Sequence, residues 1–329
     1  MLKFHSLKVL QLAPDAEDAV AISLDVPPEL RAEYLGAAGQ HVVVRVSLDG
    51  EDTRRTYSLV NAPGEWPLRI VPRVHAQGRM SRHLAEQLRP GDVLEVLPPN
   101  GSFTPREPGA GSATYVAFAA GCGITPVLSV VRALLARSGT RVILFYGNTA
   151  SARAMCLEEL LALKDRHLGR LSLHFLMSRE PQEVELYNGR IDAQRVRQFG
   201  GRLFQPLEVS EYFVCGPGDM IEQVTSTLRE LGSRVRAYTP SISRWPPRRP
   251  SGSAQRSSCH LLPRRLHPRR GRHRRRKPAP PKSSCSWMAA AAPSTCGWRT
   301  KRCSMRRHAR ESSCPSRAAP GCARPAAPR

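Results

Sequence analysis

The spacing of hydrophobic and polar positions changes twice along this chain. From Met1 to about Arg106, apolar residues come in short β-branched runs at 42–46, 56–60, 68–74 and 93–97, separated by Gly, Pro and Asn. Runs of this kind predict strands joined by turns. Between the last two, residues 81–88 carry a helical pattern that stops at Pro90-Gly91. Several short strands with one helix predict a small closed or nearly closed β barrel over residues 1–106.

From about Ala113 the period is different. Continuous apolar runs at 115–120, 141–146, 171–177 and 212–215 alternate with helical patterns at 126–137, 152–164 and 219–231. Apolar strands alternating with amphipathic helices predict βαβ units, hence an α/β doubly wound parallel sheet of the nucleotide-binding type over residues 107–232. The 232 residues suffice for two domains, each with its own core. Beyond them the apolar pattern fades into Arg, Pro, Ser and Ala. Residues 233–329 cannot bury enough apolar surface to offset their chain entropy, and the expectation there is disorder.

Charge sharpens this division. Residues 1–232 carry 25 Lys+Arg against 26 Asp+Glu, while 233–329 carry 25 against a single acid, Glu311, so the net charge of +23 resides in the tail. Clustered arginine, as in the run 269–277, gives sequence-independent affinity for phosphates. The tail has only Tyr238, Trp245, Trp287 and Trp298 for base stacking and no recognisable module, which argues against nucleic acid as the partner. The first residues lack a secretory pattern, and no run reaches the length of a membrane span; the expected setting is the cytoplasm. Only Cys122, Cys156 and Cys215 precede residue 233, and the six cysteines of the tail include no C-x-x-C pair, so no metal site is expected from the chain as written.

Three local patterns carry chemistry. Gly121-Cys122-Gly123-Ile124-Thr125-Pro126 lies between a predicted strand and helix, where glycines let the backbone approach a pyrophosphate and Pro suits the first helical turn. An ordinary tight βα turn reads the same way. Arg55-Thr56-Tyr57-Ser58 alternates along a strand, with Arg55 and Tyr57 on one face and Thr56 and Ser58 on the other. Gly78-Arg79-Met80-Ser81 opens a helix, either as a phosphate-binding start or as a plain cap by Ser81.

Taken in order, and followed by Tyr146-Gly147-Asn148 and Cys215-Gly216-Pro217, these patterns resemble the ferredoxin–NADP reductase superfamily over about residues 1–232. Phe4-His5-Ser6-Leu7, Gly39-Gln40-His41 and Asn188-Gly189-Arg190-Ile191-Asp192 are similar to the reductase components of phenylacetyl-CoA epoxidase systems, with Ala38 where relatives place a proline. The resemblance implies FAD on the barrel, with Arg55 on the diphosphate, Tyr57 against the isoalloxazine, Ser58 near the reactive flavin nitrogen, and Thr56, Gly78, Met80 and Ser81 completing the site. It implies NADPH on Gly121, Gly123, Ile124, Thr125 and Pro126, with Cys215, Gly216 and Pro217 beside the nicotinamide. Ser178-Arg179 matches the family's 2′-phosphate pair, and a guanidinium suits that dianion. Tyr57, Ser58 and Cys215 are then the residues nearest the chemistry, and the implied partner is an oxygenase component.

The same family continues into a 2Fe–2S ferredoxin domain with a C-x4-C-x2-C signature. No such spacing stands in this chain. With wobble bases left free, residues 311–327 read one register over give Val-Glu-Leu-Pro-Phe-Ser-Cys-Ser-Ala-Gly-Val-Cys-Thr-Thr-Cys-Arg, and 237–243 give Ile-His-Thr-Glu-His-Phe, the family's connector. Residues 233–329 are therefore expected to be an out-of-register remnant of that domain, its ligands absent in frame. The alternative is a stand-alone flavin reductase or diaphorase without a cluster.

Overall fold

The structure, a computed structural model, describes residues 3–106 and 112–233. The junction expected at 106/107 and the tail, with its predicted disorder and shifted reading, lie outside the described residues.

Among the described residues, ten strands and six helices follow one another. Strands β1 (His5–Ala16) and β2 (Ala19–Asp25) lead to the one-turn helix α1 (Arg31–Tyr34), then β3 (His41–Leu48), β4 (Glu51–Ser58) and β5 (Leu68–Ile70). Helix α2 (Arg79–Arg82), extended by a π turn at His83–Gln87, precedes β6 (Val93–Val96). These six strands form one antiparallel sheet in the order β4-β3-β6-β1-β2-β5. Leu59, just past β4, bridges Ile70 of β5, and the Val60 N–H donates to the Arg69 carbonyl at 3.2 Å. The sheet thereby closes on itself as the predicted barrel. Leu7, Val9, Ile22, Leu24, Val42, Val44, Ile70, Leu84, Leu94 and Val96 fill its interior.

The second half runs β7 (Ala113–Ala120), α3 (Ile124–Leu135), β8 (Thr140–Asn148), α4 (Leu157–Arg166), β9 (Leu171–Met177), α5 (Ala193–Phe199), β10 (Val209–Cys215) and α6 (Gly218–Glu230). Its four strands are all parallel, in the order β10-β7-β8-β9. Alternation along β7 and β8 separates two faces. Val116, Phe118, Ile143 and Phe145 pack with α5 and α6, while Tyr115, Ala117, Ala119, Val142, Leu144 and Tyr146 pack with α3 and α4.

Each half holds a core of its own, and a third cluster joins the two. The cluster around α3 also contains Ala19, Ala21, Ala38, Val60, Val71 and Phe103 from the barrel. Ten of the twelve α3 residues are buried, since one side of the helix lies on the sheet and the other on the barrel. Small barrel residues permit this approach. Gly39, at φ +83°, is so close to the Phe103 carbonyl oxygen that a Cβ would stand 2.0 Å from it and 2.9 Å from Val130 Cγ2. Its N–H donates to Ser129 Oγ of α3 at 3.1 Å, and that hydroxyl donates to the Asn61 carbonyl at 2.5 Å.

Charged groups ring the same interface. Glu159 of α4 accepts from Arg69 of the barrel at 2.5 Å and also pairs with Arg132 of α3. Asp18, between β1 and β2, pairs with Arg73 at 3.4 Å and with Arg153 of the loop after β8. The Asp15 carboxylate accepts the Cys156 N–H at 2.9 Å, and burial pushes its pKa above the ordinary aspartate range. Replacing Gly39 by alanine combines a forbidden φ with a steric overlap, and should lower unfolding stability by about 2–4 kcal/mol in urea titrations of the full chain.

Candidate active site

The parallel sheet reverses its winding at β7. The chain moves outward through β8 and β9, then returns to lay β10 on the other side of β7. In open α/β sheets the crevice at such a switch point, beyond the carboxyl ends of the strands, is where ligands bind. Both predicted nucleotide motifs end there, Gly121-Cys122-Gly123 leaving β7 and Cys215-Gly216-Pro217 leaving β10, with Cys215 in register with Ala119.

The two turns touch through their backbones. A Cβ on Gly123 would stand 2.2 Å from the Cys215 carbonyl oxygen and 2.5 Å from its carbonyl carbon, so no side chain fits. A Cβ on Gly216 would meet Met220 Cε at 2.7 Å and Ala120 Cβ at 3.2 Å. Behind the turn, the Tyr146 hydroxyl lies 3.2 Å from both the Gly121 and Met155 carbonyl oxygens, and burial raises its pKa. Thr125 Oγ1 donates to the Cys122 carbonyl at 2.9 Å, and Ile124, Thr125 and Pro126 are buried. These side chains shape the turn, and its backbone is what a ligand would meet.

On the barrel, Arg55, Thr56, Tyr57 and Ser58 of β4 lie across from Val44, Val43, Val42 and His41 of β3. Arg55 is exposed; its guanidinium donates to the Arg54 carbonyl at 2.7 Å and forms no ion pair among the described residues. Tyr57 packs against the barrel core, and burial raises its phenol pKa above the usual tyrosine range. Gly78, not Ser81, occupies the capping position of α2. Ser81 Oγ accepts the His75 N–H and donates to the Gly78 carbonyl, both at 3.1 Å, so its hydroxyl is engaged in holding the turn. Met80 is buried in the barrel core, which leaves its backbone as the part available to a ligand.

At the far end of the parallel sheet, Ser178 and Arg179 follow β9. Their N–H groups donate to the carbonyls of Asn148 at 3.0 Å and Thr149 at 2.9 Å, which ties this loop to the one after β8. The Arg179 side chain is exposed and has no hydrogen bond or ion pair among the described residues. The sequence did not single out Glu180, whose carboxylate accepts both the N–H of Ser151, at 2.7 Å, and its hydroxyl, at 2.8 and 2.9 Å. Nor did it single out the Asp18, Arg73 and Arg153 cluster, where Arg73 Nη1 lies 3.5 Å from the position a Cβ would take on Gly121. No local signal could have found either, because both join residues far apart in sequence.

The two thiols of the crevice differ. Cys215 is buried, and burial pushes its pKa up to about 12, whereas Cys122 is exposed. Among the described residues no group of three metal-ligating side chains occurs, and no helix is long and apolar enough to cross a membrane.

Known proteins match this arrangement in both halves. Residues 16–104 match the oxidoreductase FAD-binding domain and residues 118–226 the oxidoreductase NAD-binding domain. The chain is 35% identical over 235 residues to one of the subunits of the 1,2-phenylacetyl-CoA epoxidase of Escherichia coli, covering 70% of this chain and 65% of that protein. It is 32% identical over 230 residues to the ferredoxin reductase component of 3-ketosteroid-9-alpha-monooxygenase from Rhodococcus rhodochrous, covering 69% and 61%. The chain thus spans somewhat less than two thirds of these relatives' lengths. In fold it is similar to a ferredoxin NADP+ reductase from Neisseria gonorrhoeae with bound FAD and NADP, at a TM-score of 0.62 and 19% identity, covering 72% of this chain and 98% of that one.

Fold and crevice together define a pyridine-nucleotide-dependent flavoprotein oxidoreductase. The chain belongs to the ferredoxin–NADP reductase family, of which it carries the FAD-binding and NAD-binding domains.

Two outcomes follow from the crevice. Gly123→Ala should force the ends of β7 and β10 apart and reduce turnover with a pyridine nucleotide by about 100-fold while bound flavin is retained, measured by steady-state kinetics and flavin content. A thiol with a pKa near 12 holds its proton below that value, so at pH 8 only roughly one Cys215 in ten thousand is thiolate. Iodoacetamide at pH 8 should therefore label Cys122 before Cys156 and Cys215, read by peptide mass spectrometry.

Proposed function

We propose that this chain takes reducing equivalents from NADPH onto FAD and hands single electrons to the oxygenase component of a multicomponent system acting on phenylacetyl-CoA. The observation that carries the reading is the contact of Gly123 with the Cys215 backbone, which keeps side chains out of the switch-point crevice where the two nucleotide motifs meet. Likeness to the Escherichia coli epoxidase protein supports the choice of oxygenase and substrate class.

The residues present fit both dinucleotides. Arg55 offers an exposed guanidinium with no acid competing for it among the described residues, as an FAD diphosphate requires. Tyr57, kept neutral and half-buried, offers a flat face to the isoalloxazine, and Ser58 offers a hydroxyl beside it. Thr56, Gly78 and the backbone of Met80 and Ser81 complete that side. Gly121, Gly123 and the buried start of α3, Ile124, Thr125 and Pro126, receive the NADPH pyrophosphate through backbone. Cys215, Gly216 and Pro217 border the nicotinamide, where a buried protonated thiol fills space and excludes water. Ser178 and the exposed Arg179 take the 2′-phosphate. When bound, FAD supplies the two-electron to one-electron conversion, which is the cofactor's own chemistry.

The family's 2Fe–2S centre has its place after residue 233, where its ligands are out of register in this chain. Sequencing the gene tests this, since an interrupted shifted frame would exclude it. The absence of the C-x4-C-x2-C spacing in frame favours a second reading, a flavin reductase that serves dyes or free flavins without a cluster. The setting is the cytoplasm, in keeping with three free thiols. Arg55→Ala should weaken FAD retention by about tenfold or more, measured by gel filtration and flavin fluorescence, with NADPH-driven ferricyanide reduction falling in proportion and recovering when FAD is added. Undiminished FAD retention in that variant would contradict the assignment of the diphosphate to Arg55.

A further inference from the structure

We propose that Ser151 and Glu180 form a specificity clamp: by holding the Glu180 carboxylate against the loop after β8, Ser151 keeps the adjacent Arg179 guanidinium free for the 2′-phosphate of the nucleotide. The inference rests on the assignment of Arg179 to that phosphate.

Arg179 and Glu180 are neighbours in the loop after β9. An acid beside a phosphate-binding arginine has two ways to defeat it, by pairing with the guanidinium and by repelling the incoming dianion. Neither partner is spent on the other here. The Arg179 side chain has no hydrogen bond or ion pair among the described residues. Glu180 instead accepts two kinds of neutral donor from one residue, the Ser151 N–H at 2.7 Å and the Ser151 hydroxyl at 2.8 and 2.9 Å. The N–H bond first, and the hydroxyl bond after it, hold the carboxyl below the ordinary glutamate range, so it stays ionised and stays bonded.

Ser151 is itself fixed. It opens the short turn Ser151–Arg153, whose last residue pairs with Asp18 and whose last carbonyl accepts Arg73 Nη2 at 2.6 Å. The intervening Ala152 carbonyl accepts the Glu17 N–H at 2.9 Å. The clamp therefore runs from the barrel, through the loop after β8, to the loop after β9. Ser151 and Glu180 are positioning residues that act through Arg179.

Steady-state ferricyanide reduction by the full chain, driven by NADPH or by NADH, tests the clamp. Ser151→Ala removes the hydroxyl, leaves the carboxylate on the backbone N–H alone, and so loosens it toward Arg179. It should raise the KM for NADPH about fivefold relative to that for NADH, with kcat within about twofold. Ser151→Thr, which keeps the hydroxyl, should preserve the wild-type ratio. The decisive arm is the double variant Ser151→Ala with Glu180→Gln, in which the neutral amide cannot pair with Arg179, and the NADPH preference should return. A purely architectural role for Ser151 would leave the double variant as impaired as Ser151→Ala or worse, and that result overturns the clamp. Arg179→Gln separates the two levels. If it erases the preference while Ser151→Ala does not alter it, the clamp alone falls; if Arg179→Gln leaves the preference intact, the assignment of Arg179 falls and the clamp with it.

Discussion

Burial of α3 on two sides is the constraint on which the rest of the structure depends. A helix in a doubly wound fold ordinarily keeps a polar face for solvent. Here Val127, Leu128, Val130, Val131, Leu134 and Leu135 are all at most 1% exposed, because the parallel sheet covers one side and the barrel the other. Its amino end starts in the Gly121-Cys122-Gly123 turn, so the packing that joins the two halves also places the nucleotide crevice. The barrel contributes Ala19, Ala21, Ala38 and Gly39 at this contact, and larger side chains would lift the helix away. Ala38, just before Gly39-Gln40, is buried in the same cluster.

Charge fixes the geometry that apolar packing leaves free. Arg132 and Glu159 have side chains only 17% and 18% exposed, and Arg69 joins them from the barrel. Ion pairs with so little water contribute modest net stability, yet removing one partner costs about 3–5 kcal/mol, which penalises any other docking of the two halves. Asp18 does the same at the other end of the interface, between Arg73 and Arg153. This second anchor reaches the crevice, since Arg73 Nη1 lies 3.5 Å from where a Cβ on Gly121 would stand.

The parallel sheet was legible because its strands are buried on both faces and read as continuous apolar runs. The run at 171–177 coincides with β9, and that at 141–146 lies within β8. The barrel was harder. β1 and β2 escape the apolar pattern, since Pro14 and the four acids Asp15, Glu17, Asp18 and Asp25 obscure the inward alternation of Leu7, Val9, Ile22 and Leu24. β4 begins at Glu51, five residues before the predicted start, because its outer half is charged, and β5 stops before Pro72, which lacks the N–H a ladder needs. Helix α5 escapes it for its length of seven residues, although Asp192 caps it through the Arg195 N–H at 2.8 Å. The motif glycines could be read as motifs, but the reason Gly123 must be glycine is the Cys215 carbonyl, 92 residues away, and only the fold shows it. Ser151 and Glu180 carry no sequence signature for the same reason.

An anaerobic titration of the purified full chain bears most directly on the central claim that these two halves form one flavin-dependent electron-transfer site. The account predicts that the protein carries FAD in about one-to-one ratio and that its visible absorption bleaches on addition of roughly one equivalent of NADPH. A protein that binds no flavin when FAD is supplied, or whose bound flavin stays oxidised under excess NADPH and NADH, would contradict it.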